Sequence, residues 1–188
     1  MKRILIFLLP WLFIAACTTH YPYEYIIAGL TLYNQDNSGN APVDATSINI
    51  SAKAYAIRLE FSNELTNPEK YHNAESYHKL LNPVRSLTIT SLTDFDNAHL
   101  AGSLLNSYFL YGASTYEVSA ADSIQARIKN IGNEAYGDYE RLPETWKTND
   151  YLLLMQPPAY YGNRSFVIHM ELKDSTSITD TITVNLLP

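Results

Sequence analysis

The feature that most constrains the fold of this 188-residue chain is a period-two alternation of apolar and polar side chains, which recurs along it. Successive residues of a strand point to opposite faces, whereas a helix repeats every 3.6 residues, so such stretches read as half-buried strands. From Ile48 to Phe61 the alternation places Tyr55, Ile57, Leu59 and Phe61 on one face and Ala54, Ala56, Arg58 and Glu60 on the other. From Ser165 to Lys173 it sets Phe166, Ile168, Met170 and Leu172 against Val167, His169, Glu171 and Lys173. After the turn residues Asp174-Ser175-Thr176-Ser177, a return strand carries Ile178, Ile182, Val184 and Leu186, so this pair predicts a hairpin.

Three more stretches read as strands. Tyr25 to Asn34 is rich in Ile, Leu, Tyr and Thr and ends in the turn signal Asn34 to Asn40. Val84 to Leu92 sets Leu87, Ile89 and Ser91 opposite Thr88, Thr90 and Leu92, and Tyr151 to Met155 is an apolar run closed by Pro157-Pro158. Six or so strands of this kind predict a mainly β fold, an antiparallel β-sandwich of immunoglobulin-like type, with one or two short helices in the connections. Asn67-Pro68-Glu69 opens one helix with a cap residue and a first-turn proline. It is expected to run to about Leu81, before Asn82-Pro83. Ala120 to Asn130 is the second. Thr93 to Asp150, which holds the apolar segment Leu100 to Tyr111, is the least legible stretch, and a connection that long either is functional or hides further elements.

Composition narrows the class. The 46% hydrophobic content suits a globular chain rather than a disordered one. Thirteen basic residues against 19 acidic give a net charge of −6, which argues against nucleic acid, whose binders neutralise phosphates with Lys and Arg. The single cysteine, Cys17, excludes an internal disulfide framework.

The position of Cys17 says more than its count. Lys2-Arg3, the apolar run Ile4 to Phe13, and Ala15-Ala16 before Cys17 have the basic, apolar and small-residue regions of a secretory signal. The run is too short to span a ~30 Å hydrocarbon core at ~1.5 Å per residue. Ile14-Ala15-Ala16-Cys17 resembles the lipobox of bacterial lipoproteins. That resemblance implies cleavage between Ala16 and Cys17, a diacylglyceryl thioether on the Cys17 thiol, and acylation, commonly by palmitate, of the new α-amine. The expected organisation is a signal peptide over 1–16, a lipidated tether over 17–24 and one β domain over 25–188. Cleavage removes Lys2 and Arg3, so 11 basic residues face 19 acidic and the net charge becomes −8. Lipid rather than charge must then hold the domain at a membrane, since a polybasic patch is what docks on anionic lipid. Thr18 rather than Asp after the cysteine implies, by the sorting rule of Gram-negative lipoproteins, the outer membrane. The residues leave open which face, because the acidic cluster of surface-exported relatives is reduced here to Glu24. The lipobox, the tyrosine-rich segment after it, the strand Ala54-Tyr55-Ala56-Ile57-Arg58-Leu59 and the terminal hairpin together resemble small lipoproteins of Bacteroidetes-type bacteria, which implies lineage and location but no reaction.

No catalytic constellation stands out, and no cofactor is expected. His72, Glu75 and His78 follow each other at three-residue intervals and lack the spacing of a zincin helix, so they read as a solvated face. His20, His99 and His169 have no ligand-spaced partner, so no metal site is expected. The carboxylate pairs Asp94/Asp96 and Asp138/Glu140 lie in loops whose oxygens suit Ca²⁺, but without EF-hand spacing. The aromatic excess is more suggestive. Tyr136, Tyr139, Trp146, Tyr160 and Tyr161, beside Asn and Asp, could stack on a sugar ring, or tyrosine could simply replace Phe at half-buried positions. Ser123, Ser175 and Thr181 follow Asp in triplets that resemble the O-glycosylation acceptors of the same bacteria. The expected function is a lipid-anchored cell-envelope protein with a non-catalytic binding or structural role, whose partner is a glycan or an envelope protein. Its alternatives are a carbohydrate-binding accessory lipoprotein, a pilus- or adhesin-like subunit that exchanges a strand, or an enzyme with its site in 93–150.

Overall fold

The computed structural model describes residues 23–66, 78–113 and 147–188. These residues form ten strands: β1 (Tyr23–Asp36), β2 (Val43–Asp44), β3 (Asn49–Ser51), β4 (Tyr55–Leu65), β5 (His78–Leu80), β6 (Val84–Ser91), β7 (Phe109–Ala113), β8 (Lys147–Leu154), β9 (Gly162–Leu172) and β10 (Ser177–Leu187). The chain is mainly β, in two sheets. One has the order β2-β1-β4-β8-β7 with β5 also on β1, and the other runs β3-β10-β9-β6.

The alternation earns its burial where it was strongest. Tyr55, Ile57, Leu59 and Phe61 of β4 and Phe166, Ile168, Met170 and Leu172 of β9 are all buried in one core shared by the two sheets. Phe166 links them directly, stacked on Tyr55 with centroids 5.9 Å apart and edge-to-face with Phe109 at 5.4 Å. Each such side chain contributes about 1.5–3 kcal/mol by leaving water. The β9–β10 hairpin forms with Glu171 opposite Ser177, and Ser175 takes a φ of 69° in its turn.

Four expectations are corrected. Ile48 to Phe61 is two strands, because a 3-10 turn at Ala52–Ala54 carries the chain from β3 in one sheet to β4 in the other. Ile50 and Tyr55 are both buried although five residues apart, and that odd spacing is the slip of phase at the corner. The helix expected to reach Leu81 does not, since His78–Leu80 is a strand paired with Tyr23–Tyr25 at the free edge of β1. That pairing and the pairing of β3 with β10 are parallel, so the sheets are mixed rather than purely antiparallel. Tyr23 and Glu24, assigned to the tether, already belong to β1.

Two asparagines close sheet edges. The Asn82 amide lies along β1, accepting from the Ile27 N–H (2.7 Å) and donating to the Ile27 carbonyl (3.2 Å), so it continues the ladder that β5 begins. The Asn106 amide does the same on β6, accepting from the Ile89 N–H and donating to the Leu87 carbonyl, both at 2.8 Å. Asp180 accepts from the Leu32 N–H further along β1. An exposed row of unpaired strand groups templates association, and these side chains remove it locally.

The register also sorts the loops. Tyr23 and Leu65 lie at one end of their sheet and Asp36, Tyr55, Leu154 and Phe109 at the other, while Lys147 and Ala113, level with Gly29 and Leu32 of β1, lie between them. The corner at Ala52–Ala54 aligns the second sheet, so Ser91, Gly162 and Leu187 share the end of Asp36 and Tyr55. The 14 residues of β1 separate the two ends by roughly 45 Å at ~3.4 Å per residue.

Candidate functional site

The end opposite Tyr23 is built from two loops, residues 92–105 after β6 and residues 155–161 before β9. Within the first, Asp96 acts as an organiser. Its carboxylate accepts from the Ala98 N–H (2.8 Å), the His99 N–H (2.7 Å), the His99 ring (2.9 Å) and the Tyr108 hydroxyl (2.8 Å). Partial desolvation pulls its pKa upward, but the bonds from His99, Tyr108 and the two amides prevail and hold it at about 2. The same contact raises the Tyr108 phenol. Asp94 turns elsewhere and accepts from the Ala101 N–H at 2.8 Å. The two carboxylates therefore serve the loop's own amides rather than facing a shared cation, and no group of three or more His, Cys, Asp or Glu that could hold a metal occurs among the described residues.

The second loop presents Tyr160 and Tyr161, 48% and 43% exposed. The Tyr160 hydroxyl donates to Asn97 and so ties the two loops together. Beneath it lies Arg164, in phase with Phe166 on the core-facing side of β9 and only 8% exposed. Its Nη1 donates to the Asn163 carbonyl at 2.9 Å and its Nη2 to the Tyr160 carbonyl. Its Nε is buried without a partner, and no ion pair reaches it among the described residues. Leu92, Leu100, Leu104 and Met155 add exposed apolar surface in the same two loops.

Tyr160 and Tyr161 are thus the members of the expected aromatic group that the structure places, both of them exposed. Tyr136, Tyr139 and Trp146 lie outside the described residues, as do Ala16, Cys17, Ser123, the His72/Glu75 pair, the Asp138/Glu140 pair and the helix at 120–130. Lys147, where the chain re-enters, stands at the far end of β8 from the tyrosine loop. Ser175 and Thr181 are exposed. His169 faces outward, its Nδ1 2.8 Å from the Thr179 hydroxyl. Arg164, Asn97 and Tyr108 escaped the sequence reading. For Arg164 a signal exists, an arginine in the apolar phase of β9 one step before Phe166, but it appears only once the strand is started at Gly162 rather than Ser165.

A concavity lies between β1, the β2–β3 connection and β10, lined by Leu32, Tyr33, Asp44, Ile48 and Ile182 among others. Beside it Arg58 lies over the Tyr33 ring at 4.0 Å and pairs with Glu60 (2.8 Å) and Asp44 (3.1 Å), so its charge is met within the fold. Among the described residues no helix is long and apolar enough to cross a membrane. Compared with known proteins, the chain matches no family model, no curated protein and no solved structure.

Proposed function

We propose that this chain is a lipid-anchored cell-envelope protein of the outer membrane that binds a glycan, without catalysis, at the end of its β domain remote from the anchor. We read its two sheets as an immunoglobulin-like sandwich, a scaffold suited to carrying loops at its two ends. The anchor rests on Lys2-Arg3, the apolar run from Ile4 and Ala15-Ala16-Cys17. The observation that carries the binding role is the opposition of ends: Tyr23, the described residue nearest Cys17, and the exposed pair Tyr160 and Tyr161 are separated by the length of β1. An anchored domain of this shape holds its tyrosines away from the lipid. The local caps that Asn82 and Asn106 place on the β1 and β6 edges favour this reading over a pilus-like subunit that exchanges a strand at either of them.

Fractionation with a radiolabelled fatty acid tests the anchor. The native chain should take up label and sediment with membranes, and Cys17→Ala should lose both properties. Membrane retention of the unlabelled variant would overturn the reading.

A further inference from the structure

We propose that the Tyr160 end recognises an acidic sugar, whose carboxylate compensates Arg164 while its ring lies on Tyr160 and Tyr161. This rests on the binding role above and names its ligand class. Arg164 is 8% exposed, yet among the described residues the groups it meets are two neutral carbonyls, and its Nε meets none. A buried guanidinium is retained in a fold when it is paired, because desolvation otherwise disfavours it. The chain does not lack acids, with 19 against 13 basic residues, and at Arg58 it spends two of them on one arginine. Among the described residues no carboxylate meets Arg164, which leaves its charge open to a carboxylate supplied by a ligand.

The guanidinium fork selects the form of that partner. A carboxylate that takes the place of the Tyr160 carbonyl engages Nη2 and the unpartnered Nε together, and such charge-assisted pairs of bonds are about twice as strong as neutral ones. The turn beneath the tyrosines is set by Gly162, between Tyr161 and Asn163, whose φ of +110° lies in a region open to glycine. The exposed side chains of Tyr160 and Tyr161 offer ring surface to the C–H side of a pyranose, and the Asn97 amide and the tyrosine hydroxyls offer partners for its own hydroxyls. The net negative charge of the domain does not prevent this, since exposed charges beyond ~8–10 Å are screened at physiological salt.

Calorimetric titration of the detergent-purified full chain with trigalacturonate and with its neutral methyl ester separates the contributions. The acid should bind at least tenfold more tightly than the ester. Arg164→Met should abolish that preference, Arg164→Lys should keep part of it, and Tyr161→Ala, at an exposed position, should weaken both probes about fivefold. Equal binding of acid and ester by the native chain would overturn the role of Arg164 while sparing the tyrosine platform. An acid preference undiminished in Arg164→Met would do the same, and binding of neither probe would overturn the proposal whole, with the Cys17 experiment still judging the anchor independently.

Discussion

Arg58 and Arg164 occupy comparable depths in this molecule and are treated in opposite ways. The Arg58 side chain, 12% exposed, leans on Tyr33 and is clamped by Glu60, itself 13% exposed, and by Asp44. Arg164 sits at the mouth of the core with backbone carbonyls as its described partners. A buried ion pair contributes modestly when complete and is costly when half of it is removed, whereas an uncompensated charge can be exchanged for an apolar side chain at little cost or some gain. The first arginine thus belongs to the architecture, and the second sits where a ligand can complete it.

The contrast can be broken by stability measurements. Arg58→Met should be the most damaging change, lowering the urea-unfolding free energy by about 2 kcal/mol, because Glu60, 13% exposed, loses its 2.8 Å ion pair. Arg164→Met should fall within about 1 kcal/mol of the native chain or above it. A loss equal to that of Arg58→Met would make Arg164 a strut of the loop and remove the distinction. Asp44→Asn should cost no more than about 0.5 kcal/mol, since Asp44 is 67% exposed and its bridge is screened.

Acid sharpens the same comparison. The Asp44 carboxyl is held low chiefly by the Gln35 amide and, after an opposing desolvation, by Arg58. Arg58→Met should therefore raise its titration midpoint in carboxyl-detected NMR, and Arg164→Met should not move it. In the loop after β6, Asp96 is held at about 2, below the ~3.9 of an unfolded chain. A carboxyl depressed by folding stabilises above its unfolded pKa and loses that contribution as pH falls toward its folded one. The advantage of the native chain over Asp96→Asn in denaturation midpoint should then shrink between pH 4 and pH 2. A gap constant across that range would mean that the His99 and Tyr108 bonds do not discriminate the charged form.

The alternation made β4, β6, β9 and β10 legible, because a period of two over eight or more residues has few other physical readings. It could not reveal the corner at Ala52–Ala54, since small residues continue the apolar pattern while the backbone changes sheet. Nor could it find His78–Leu80, a three-residue strand that exists through its pairing with Tyr23–Tyr25. Tyr160 and Tyr161 were legible as an aromatic pair. Arg164 was not, because a lone arginine acquires meaning only from how deeply it is buried and what stands beside it.

By itself the sequence determined that the chain is β-rich and which faces of its long strands are apolar. These follow from local spacing, which each short segment carries within itself. The tertiary structure alone decided the mixed pairing, the edges closed by Asn82 and Asn106, the remoteness of Tyr23 from Tyr160, and the isolation of Arg164 from any described carboxylate. The physical reason is that those properties join residues as far as 136 positions apart, as Asn49 and Asn185 are, and arise only when burial and hydrogen bonding are satisfied across the whole core at once.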